Sequence, residues 1–374
     1  MLLFNILDTS KQYSSCIHSR SCIFIKGFST FAIVMKYKEV TIYDIAEKLN
    51  IAASTVSRGL KGHYTVSLKT QKLINSTAEA MGFRFNTFAA NLRRQRTDTI
   101  GVILPKFNSN FMAEVIAGIE KVTNNAGLNL IVSQSLENLD KEARNVKTML
   151  NNRVDGLLVS LTEMTTDITH FDIFFQKGIP VLFFDRVPMN SLLPSVTINN
   201  LEAGYIITKH LLQTDAKKIV HVSGNQSSNV YRDRFLGYKK ALDEFGIEYD
   251  ASLLIINSLS EEAGIIAAKE IIQLKGDAVF VTNDTCASSC MNELKRNGIR
   301  VPEEIRVAGF NNDIISRNVE PALTTINYPG FKMGEIVASK LVDHLYDNIN
   351  INEISSVILE PELLIRPSTI RIVK

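Results

Sequence analysis

The stretch Val40–Leu92, VTIYDIAEKLNIAASTVSRGLKGHYTVSLKTQKLINSTAEAMGFRFNTFAANL, decides how the rest of the chain is read. Thr41 is placed to cap a helix, with Asp44 three residues on in a box-like relation. Ile42, Ile45, Ala46 and Leu49 then share one face, the spacing of an amphipathic helix. Asn50-Ile51 predicts a tight turn, and Ala53–Leu60 a second helix with Val56 and Leu60 inward. Ser54, Thr55, Ser57 and Arg58 are left outward. Ser67 caps a third helix, Leu68–Met81, and Gly82 can end it in the left-handed conformation. Two helices joined by a short turn, the second carrying small polar groups and an arginine, fit a DNA major groove.

Three linked motifs carry a resemblance: VTIYDIAEKLNIAASTVSRGL, then VSLKTQKLI, then Gly-Phe-x-x-Asn-x-x-Ala-x-x-Leu from Gly82 to Leu92. In this order and spacing they resemble the headpiece of the LacI/GalR family of bacterial repressors, and the similarity continues almost to the C-terminus. The resemblance implies base-reading side chains at Ala53, Ser54 and Arg58. Ala53 offers apolar contact, Ser54 donates or accepts, and Arg58 can reach guanine bidentately or a phosphate. Tyr43, Thr55, Ser57 and Lys61 are placed for backbone contacts, which orient without specifying sequence. Asn86–Arg93 resembles the family's hinge helix, with Asn86 as its cap, Ala89 and Ala90 small enough for close approach, and Leu92 as the wedge that kinks DNA at a base step. Arg93, Arg94 and Arg96 then supply charge beside phosphates. The second helix departs from the family at Ala52, where a capping Ser is usual, a loss of about 0.5–2 kcal/mol. Gly59 inside the same helix costs roughly 1 kcal/mol relative to Ala. Together they predict a soft headpiece that DNA stabilises.

The charge distribution agrees with a polyanion partner for the head alone. Residues 35–98 hold 11 Lys and Arg against 5 Asp and Glu, whereas residues 99–374 hold 27 against 33. The 374-residue length and 45% hydrophobic content suit a small domain plus a large two-lobed one. Of the four cysteines, Cys16 and Cys22 lie in an atypical leader, and Cys286 and Cys290 are one helical turn apart with no zinc-ligand partners. Few cysteines agree with a reducing cytoplasm. No apolar run approaches the ~20 residues that span a bilayer. The leader, residues 1–34, matches nothing in the family and lacks a clear secretory signal. The expectation is that translation starts at Met35 and that the leader is absent or disordered.

From Thr99 the pattern changes to apolar strands alternating with helical runs: TIGVILP, NLIVSQS, GLLVSL, PVLFFD and SVTIN, then IVHVSG, SLLIIN, AVFVTN and RVAGF. Strands apolar on both faces, with helices between them, mean parallel sheets covered on both sides. A later helix near Lys332–Tyr346 and a strand near Leu363–Arg366 are expected to return toward the first lobe. The body resembles the two-lobed fold shared by family repressors and type 1 periplasmic binding proteins. Ligands of such sheets sit at the carboxyl ends of the strands. The candidates there are Phe107, Asn110 and Phe111 after the first strand and the pair Asp185-Arg186 after the fourth. The second lobe adds Arg232 and Arg234, then Asn283-Asp284, then Phe310-Asn311. Aromatic platforms beside amides, a carboxylate and guanidinium groups suit a polyhydroxylated ligand. Many family members carry Asp where this chain has Asn311, so ligand identity does not transfer simply.

The expected architecture is therefore a small all-α helix-turn-helix headpiece plus an α/β two-lobed, type 1 periplasmic-binding-protein-like body. Its layout is a leader at 1–34, a DNA-binding domain at 35–85, a hinge helix and linker at 86–98, and an effector-binding and dimerisation body at 99–374. The expected function is that of a cytoplasmic, homodimeric, sequence-specific transcription regulator, a repressor controlled by a small ligand such as a sugar. Its partners are double-stranded operator DNA, the effector and a second copy, with no membrane, cofactor or metal. No hydrolase elbow, phosphate loop or zinc-protease motif occurs, so no enzyme activity is expected. The rival reading, a solute-binding protein with a vestigial headpiece, needs an export signal that the sequence does not convincingly supply.

Overall fold

The Thr41 box forms as its sequence predicts. Asp44 N–H donates to Thr41 Oγ1 at 3.4 Å, and Asp44 Oδ2 accepts from Thr41 N–H at 2.7 Å. It opens α1 (Ile42–Leu49), which Asn50 closes in the left-handed conformation, φ 51°. Then come α2 (Ala53–Leu60) and α3 (Leu68–Ala80), the latter capped by Ser67 and followed by Gly82 at φ +69°. Ile45, Val56 and Ile74, one from each helix, are fully buried together. Gly59 has a role beyond its poor helix propensity. A Cβ there would lie 2.4 Å from Ile74 Cδ1, so the buried tip of Ile74 fills the space the glycine leaves.

The computed structural model describes residues 40–83, 96–189, 192–347 and 355–370. The chain divides into two compact units, the second beginning at Thr87. This second unit starts with β1 (Thr99–Leu104), α4 (Asn110–Asn125), β2 (Asn129–Gln134), α5 (Leu139–Asn151), β3 (Gly156–Val159), the short α6 (Asp172–Gln176), β4 (Val181–Phe184) and β5 (Ser195–Ile198). A second lobe follows: α7 (Asn200–Gln213), β6 (Ile219–Ser223), α8 (Asn229–Glu244), β7 (Leu254–Ile256), α9 (Glu261–Leu274), β8 (Ala278–Val281), α10 (Asp284–Arg296), β9 (Arg306–Ala308) and α11 (Ile314–Asn318). The chain ends in β10 (Thr325–Asn327), α12 (Gly330–Asp347), β11 (Val357–Leu359) and β12 (Glu362–Leu364).

Every strand pair of the two lobe sheets is parallel, in the orders β11-β5-β4-β3-β1-β2 and β7-β6-β8-β9. Strands β3, β4, β6 and β8 are buried along their whole length, as two-sided helix cover requires. Cys286 and Cys290 are free thiols buried in α10.

The end of the chain differs in part from the sequence reading. Helix α12 does return to the first lobe, against α4, but the strand near Leu363 does not join that sheet. Pro361 splits the run VILEPELLI in two, because proline cannot donate to a ladder. The first half, β11, pairs with β5, while the second, β12, pairs antiparallel with β10. The chain after β12 is fixed to the second lobe, where Val307 N–H donates to Ser368 O at 3.1 Å. The chain therefore passes between the lobes three times: after β5, after β10 and after β11.

Among the described residues, two helix pairs carry a glycine from each partner at their crossing. A Cβ on Gly118 of α4 would lie 2.1 Å from Phe331 O, and one on Gly334 of α12 would lie 2.1 Å from Val115 O. On the second lobe Gly204 of α7 and Gly237 of α8 face Arg234 O and Leu201 O in the same way, each at 2.1 Å.

Candidate nucleic-acid interface and ligand cleft

On α2 the spacing separates two faces. Val56, Gly59 and Leu60 turn toward α1 and α3, while Ser54, Ser57 and Arg58, at i, i+3 and i+4, lie together on the other side. Among the described residues the side chains of Ser54, Ser57 and Arg58 make no hydrogen bond or ion pair within the chain, so their donors and acceptors are available to a partner. Ala53 begins the helix half-buried and Thr55 is half-buried beside it. Tyr43 on α1 is 72% exposed. Ala52 provides no side-chain cap for α2, as its sequence implies. The sequence reading overlooked Tyr64. It is 89% exposed in the α2–α3 turn and stacks on His63 at 4.5 Å, and a lone aromatic in a polar turn was the available signal. Asn86, Ala89 and Leu92 lie outside the described residues. Arg96, expected beside phosphates, is instead committed to α12, where it donates to Leu345 O and lies 5.6 Å over the Tyr346 ring.

The carboxyl ends of β2, β3, β4, β6, β8 and β9 bring polar groups to the lobe junction. Asp185, just past β4, is buried in the left-handed conformation at φ 57°. Its Oδ1 accepts from Tyr328 O–H at 2.5 Å and its Oδ2 from Ser160 Oγ at 3.3 Å. Burial pushes its pKa up, against the opposing pull of Arg186 and the Tyr328 hydroxyl. Arg186 donates from Nη1 to both oxygens of Glu137, at 2.8 and 2.9 Å, and from Nη2 to Tyr231 O–H at 3.1 Å. Burial opposes its charge, but Tyr231, Glu137 and Asp185 outweigh that and hold the guanidinium firmly protonated. Because Tyr231 belongs to α8, this contact joins the lobes. Asn229 Nδ2–H donates to Asp185 O at 3.1 Å, Val187 N–H to Asn229 Oδ1 at 3.1 Å, and Ser227 Oγ–H to Glu163 O at 2.7 Å. The start of α8 is thus the part of the second lobe that grips the first.

The structure distinguishes Arg234 from Arg232. Arg234 is 3% exposed, donates to Asn200 Oδ1 at 2.9 Å and Thr282 O at 3.1 Å, and lies 3.5 Å over the Phe310 ring. Arg232 turns to the surface and pairs with its neighbour Asp233 at 2.8 Å. Phe111 stacks on Tyr328 at 4.1 Å, and Phe310 meets the same ring edge-on, so both are buried parts of the junction. Phe107 is 44% exposed, with its N–H held by Gln134 Oε1, and Asn110 is an exposed first residue of α4.

Asn283 serves as the cap of α10. Asp284 is fully buried and accepts from Asp313 N–H at 2.8 Å and Thr325 Oγ at 2.8 Å, so it shapes the loop after β9. Burial, then the nearby Asp313, raises its pKa. Asn311 sits in that loop at φ 112°. Asp313, two residues on, accepts from the Asn311 amide at 3.4 Å; burial pushes its pKa up to about 6 against that bond, with Glu114 adding to the rise. The sequence reading missed Glu137, Ser160, Glu163, Asn229, Tyr231 and Tyr328. Most lie within a few residues of a strand's carboxyl end, so applying that rule to every strand would have found them.

Behind Phe280, on β6, His221 is fully buried and neither ring nitrogen makes a hydrogen bond; the Phe280 backbone is near but short of bonding geometry. Burial holds its pKa down at about 3. The unfolded chain, with an ordinary imidazole near 6.5, therefore binds the extra proton first. Stability is fully present above pH 6.5 and is lost as pH falls toward the folded pKa, by about 2 kcal/mol at pH 5. His221→Phe should remove most of that slope in urea unfolding at pH 7 and pH 5; an unchanged slope would assign the acid sensitivity to other groups.

Among the described residues no cluster of three or more His, Cys, Asp or Glu could hold a metal, and no helix is long and apolar enough to cross a membrane. Residues 41–86 match the model of bacterial regulatory proteins of the lacI family, and residues 208–369 match a periplasmic binding protein-like domain. The HTH-type transcriptional regulator RegA of Clostridium saccharobutylicum is 30% identical over 333 residues, 88% of this chain and 99% of that protein. Catabolite control protein A of Priestia megaterium is 30% identical over 309 residues, 82% of this chain and 92% of that protein. The fold matches that of the lac repressor dimer bound to operator and an anti-inducer, with a TM-score of 0.79 at 23% identity over 89% of this chain and all of that one. A complex of the transcriptional regulator CelR with cellobiose matches with a TM-score of 0.67 at 25% identity, over 88% of this chain and all of that one. With a three-helix head whose α2 face is uncommitted, a two-lobed body with polar groups at its junction, and near-full-length relatives, the chain belongs to the lacI family of bacterial regulatory proteins, DNA-binding regulators of transcription.

Proposed function

We propose that the protein is a homodimeric repressor of the cytoplasm, released from or recruited to a near-palindromic operator by a small polyhydroxylated ligand bound between the lobes. The head would span residues 35–85, the hinge and linker 86–98, and the effector body 99–374. Ala53, Ser54 and Arg58 would face base edges, Tyr43, Thr55 and Ser57 the backbone, and Leu92 the central base step, with Asn86 and Ala89 supporting the hinge. The observation that supports ligand control is the lobe junction. Asp185 and Arg186 from one lobe bond directly to Asn229 and Tyr231 of the other, so a ligand entering there must change how the lobes meet. Differential affinity for two lobe arrangements is what couples a ligand to DNA, and the coupling is reciprocal.

The test is operator selection from random duplexes at fixed salt, with and without a panel of sugars. A recovered near-palindrome whose binding one sugar alters supports the whole reading; salt-sensitive binding with no selected sequence refutes it. On the selected duplex Arg58→Ala should cost about 1–3 kcal/mol while weakening random DNA much less. Equal losses on both would reduce Arg58 to a phosphate contact.

A further inference from the structure

We propose that Glu137 makes the cleft selective for uncharged polyhydroxylated ligands over their phosphorylated counterparts, an inference that rests on the effector reading above. Glu137 follows β2 in a tight turn, where it and Leu136 both adopt φ 55°. Leu136 N–H donates to Pro105 O at 2.8 Å and Asn138 N–H to Ser135 O at 3.2 Å, so the turn is fixed at both ends. Two consecutive left-handed residues without glycine are costly, and such strain persists where surrounding contacts hold it. Here it aims a carboxylate at the lobe junction.

The aim has a chemical consequence. Both Glu137 oxygens accept from Arg186 Nη1, and Oε2 also accepts from Glu163 N–H at 3.0 Å. Arg186 Nη2 is held by Tyr231. The second guanidinium, Arg234, is covered by Phe310 and bonded to Asn200 and Thr282. Arg232 is paired with Asp233 at the surface. Lys106, exposed after β1, is attracted to Glu163. Around Arg186, the carboxylates of Asp185, Glu137 and Glu163 thus stand against Arg186, Arg234 and Lys106, and each guanidinium charge is already faced by a carboxylate or covered by an aromatic ring.

A phosphate monoester carries about −1.5 to −2 charges. To reach Arg186 it would displace Glu137 and lie against Asp185 and Glu163, losing hydration with the exposed, solvated Lys106 as the one cation there not already bonded. A hydroxyl group meets no such penalty. It donates to a carboxylate and accepts from a guanidinium at once, and both partners are in place.

The experiment uses the full chain and paired probes: glucose, galactose and cellobiose, each with its 6-phosphate, titrated by calorimetry. The expected result is that a neutral member binds and its 6-phosphate binds at least roughly tenfold more weakly. Glu137→Gln should shrink that ratio several-fold, chiefly by tightening the phosphate. Glu163→Gln, which leaves the pairing with Arg186 intact, should move it the same way by less, so a turn disturbed in the first variant does not decide the matter. A phosphate that binds the natural chain as well as its neutral parent overturns the inference and leaves the effector cleft standing, as does a ratio unchanged in both variants. Failure of every member of both sets to bind overturns the sugar reading and the inference together.

Discussion

Arg234→Ala is expected to lower the stability of the effector body by about 3–5 kcal/mol, the usual result of removing one partner from a buried charged network. The guanidinium is nearly inaccessible and serves four neighbours at once: Asn200 Oδ1, Thr282 O, the Phe310 face and, through its charge, Asp185. Its loss leaves two acceptors without a donor, a cavity over an aromatic ring, and Asp185 with less compensation in a site where burial already disfavours the carboxylate. Arg234→Lys should recover little, because an ammonium cannot bond along two directions while lying flat on Phe310. Arg232→Ala, two residues away but partly exposed and held only by its neighbour Asp233 and by Met189, should change stability by less than about 1 kcal/mol. Urea unfolding of the three variants gives the comparison. Similar losses for Arg232→Ala and Arg234→Ala would mean that the buried network contributes nothing special.

Gly237→Ala should also be severe, near 3 kcal/mol or above, although helix propensity alone favours alanine by roughly 1 kcal/mol. The new methyl would sit 2.1 Å from Leu201 O and 2.6 Å from Tyr205 N, both backbone atoms of α7. A backbone carbonyl cannot turn aside as a side chain can, so α7 and α8 must separate or one must bend. Separation would draw Asn229 and Tyr231, at the start of α8, away from Asp185 and Arg186. A variant as stable as the natural chain would show that the two helices shift apart at little cost.

The main architecture was legible because it rests on period and punctuation. The Thr41 box, the Asn50 turn and the Ser67 cap are local, and each forms where its residues indicate. The buried runs of β3, β4, β6 and β8 were equally plain, since strands covered on both faces contain little but apolar residues. Short elements were harder. Strands β10, β11 and β12 have three residues each and carry no period, so the path of the chain end depends on Pro361, whose division of the run a periodic reading does not register. At the cleft, Asp185-Arg186 stood out as an adjacent pair of opposite charges. Their partners Glu137, Tyr231 and Tyr328 lie 49, 45 and 142 residues from Arg186 in the chain, and only the packing of the lobes reveals the association. Arg232 and Arg234 could not be separated by type, since what distinguishes them is which side of α8 each occupies.

The glycine crossings also constrain how the body can move. Where two helices meet through side chains, they can creep past one another as rotamers rearrange, and a domain can deform by many small slips. Helices α4 and α12, like α7 and α8, bring backbone against backbone at their glycines, and side-chain pairs such as Lys121–Glu335 and Lys209–Glu244 span each interface beside them. A backbone-to-backbone contact leaves little room for such slips, so these helix pairs are expected to move together. A displacement at the junction would then fall chiefly on the three stretches of chain that pass between the lobes, which would serve as its axle.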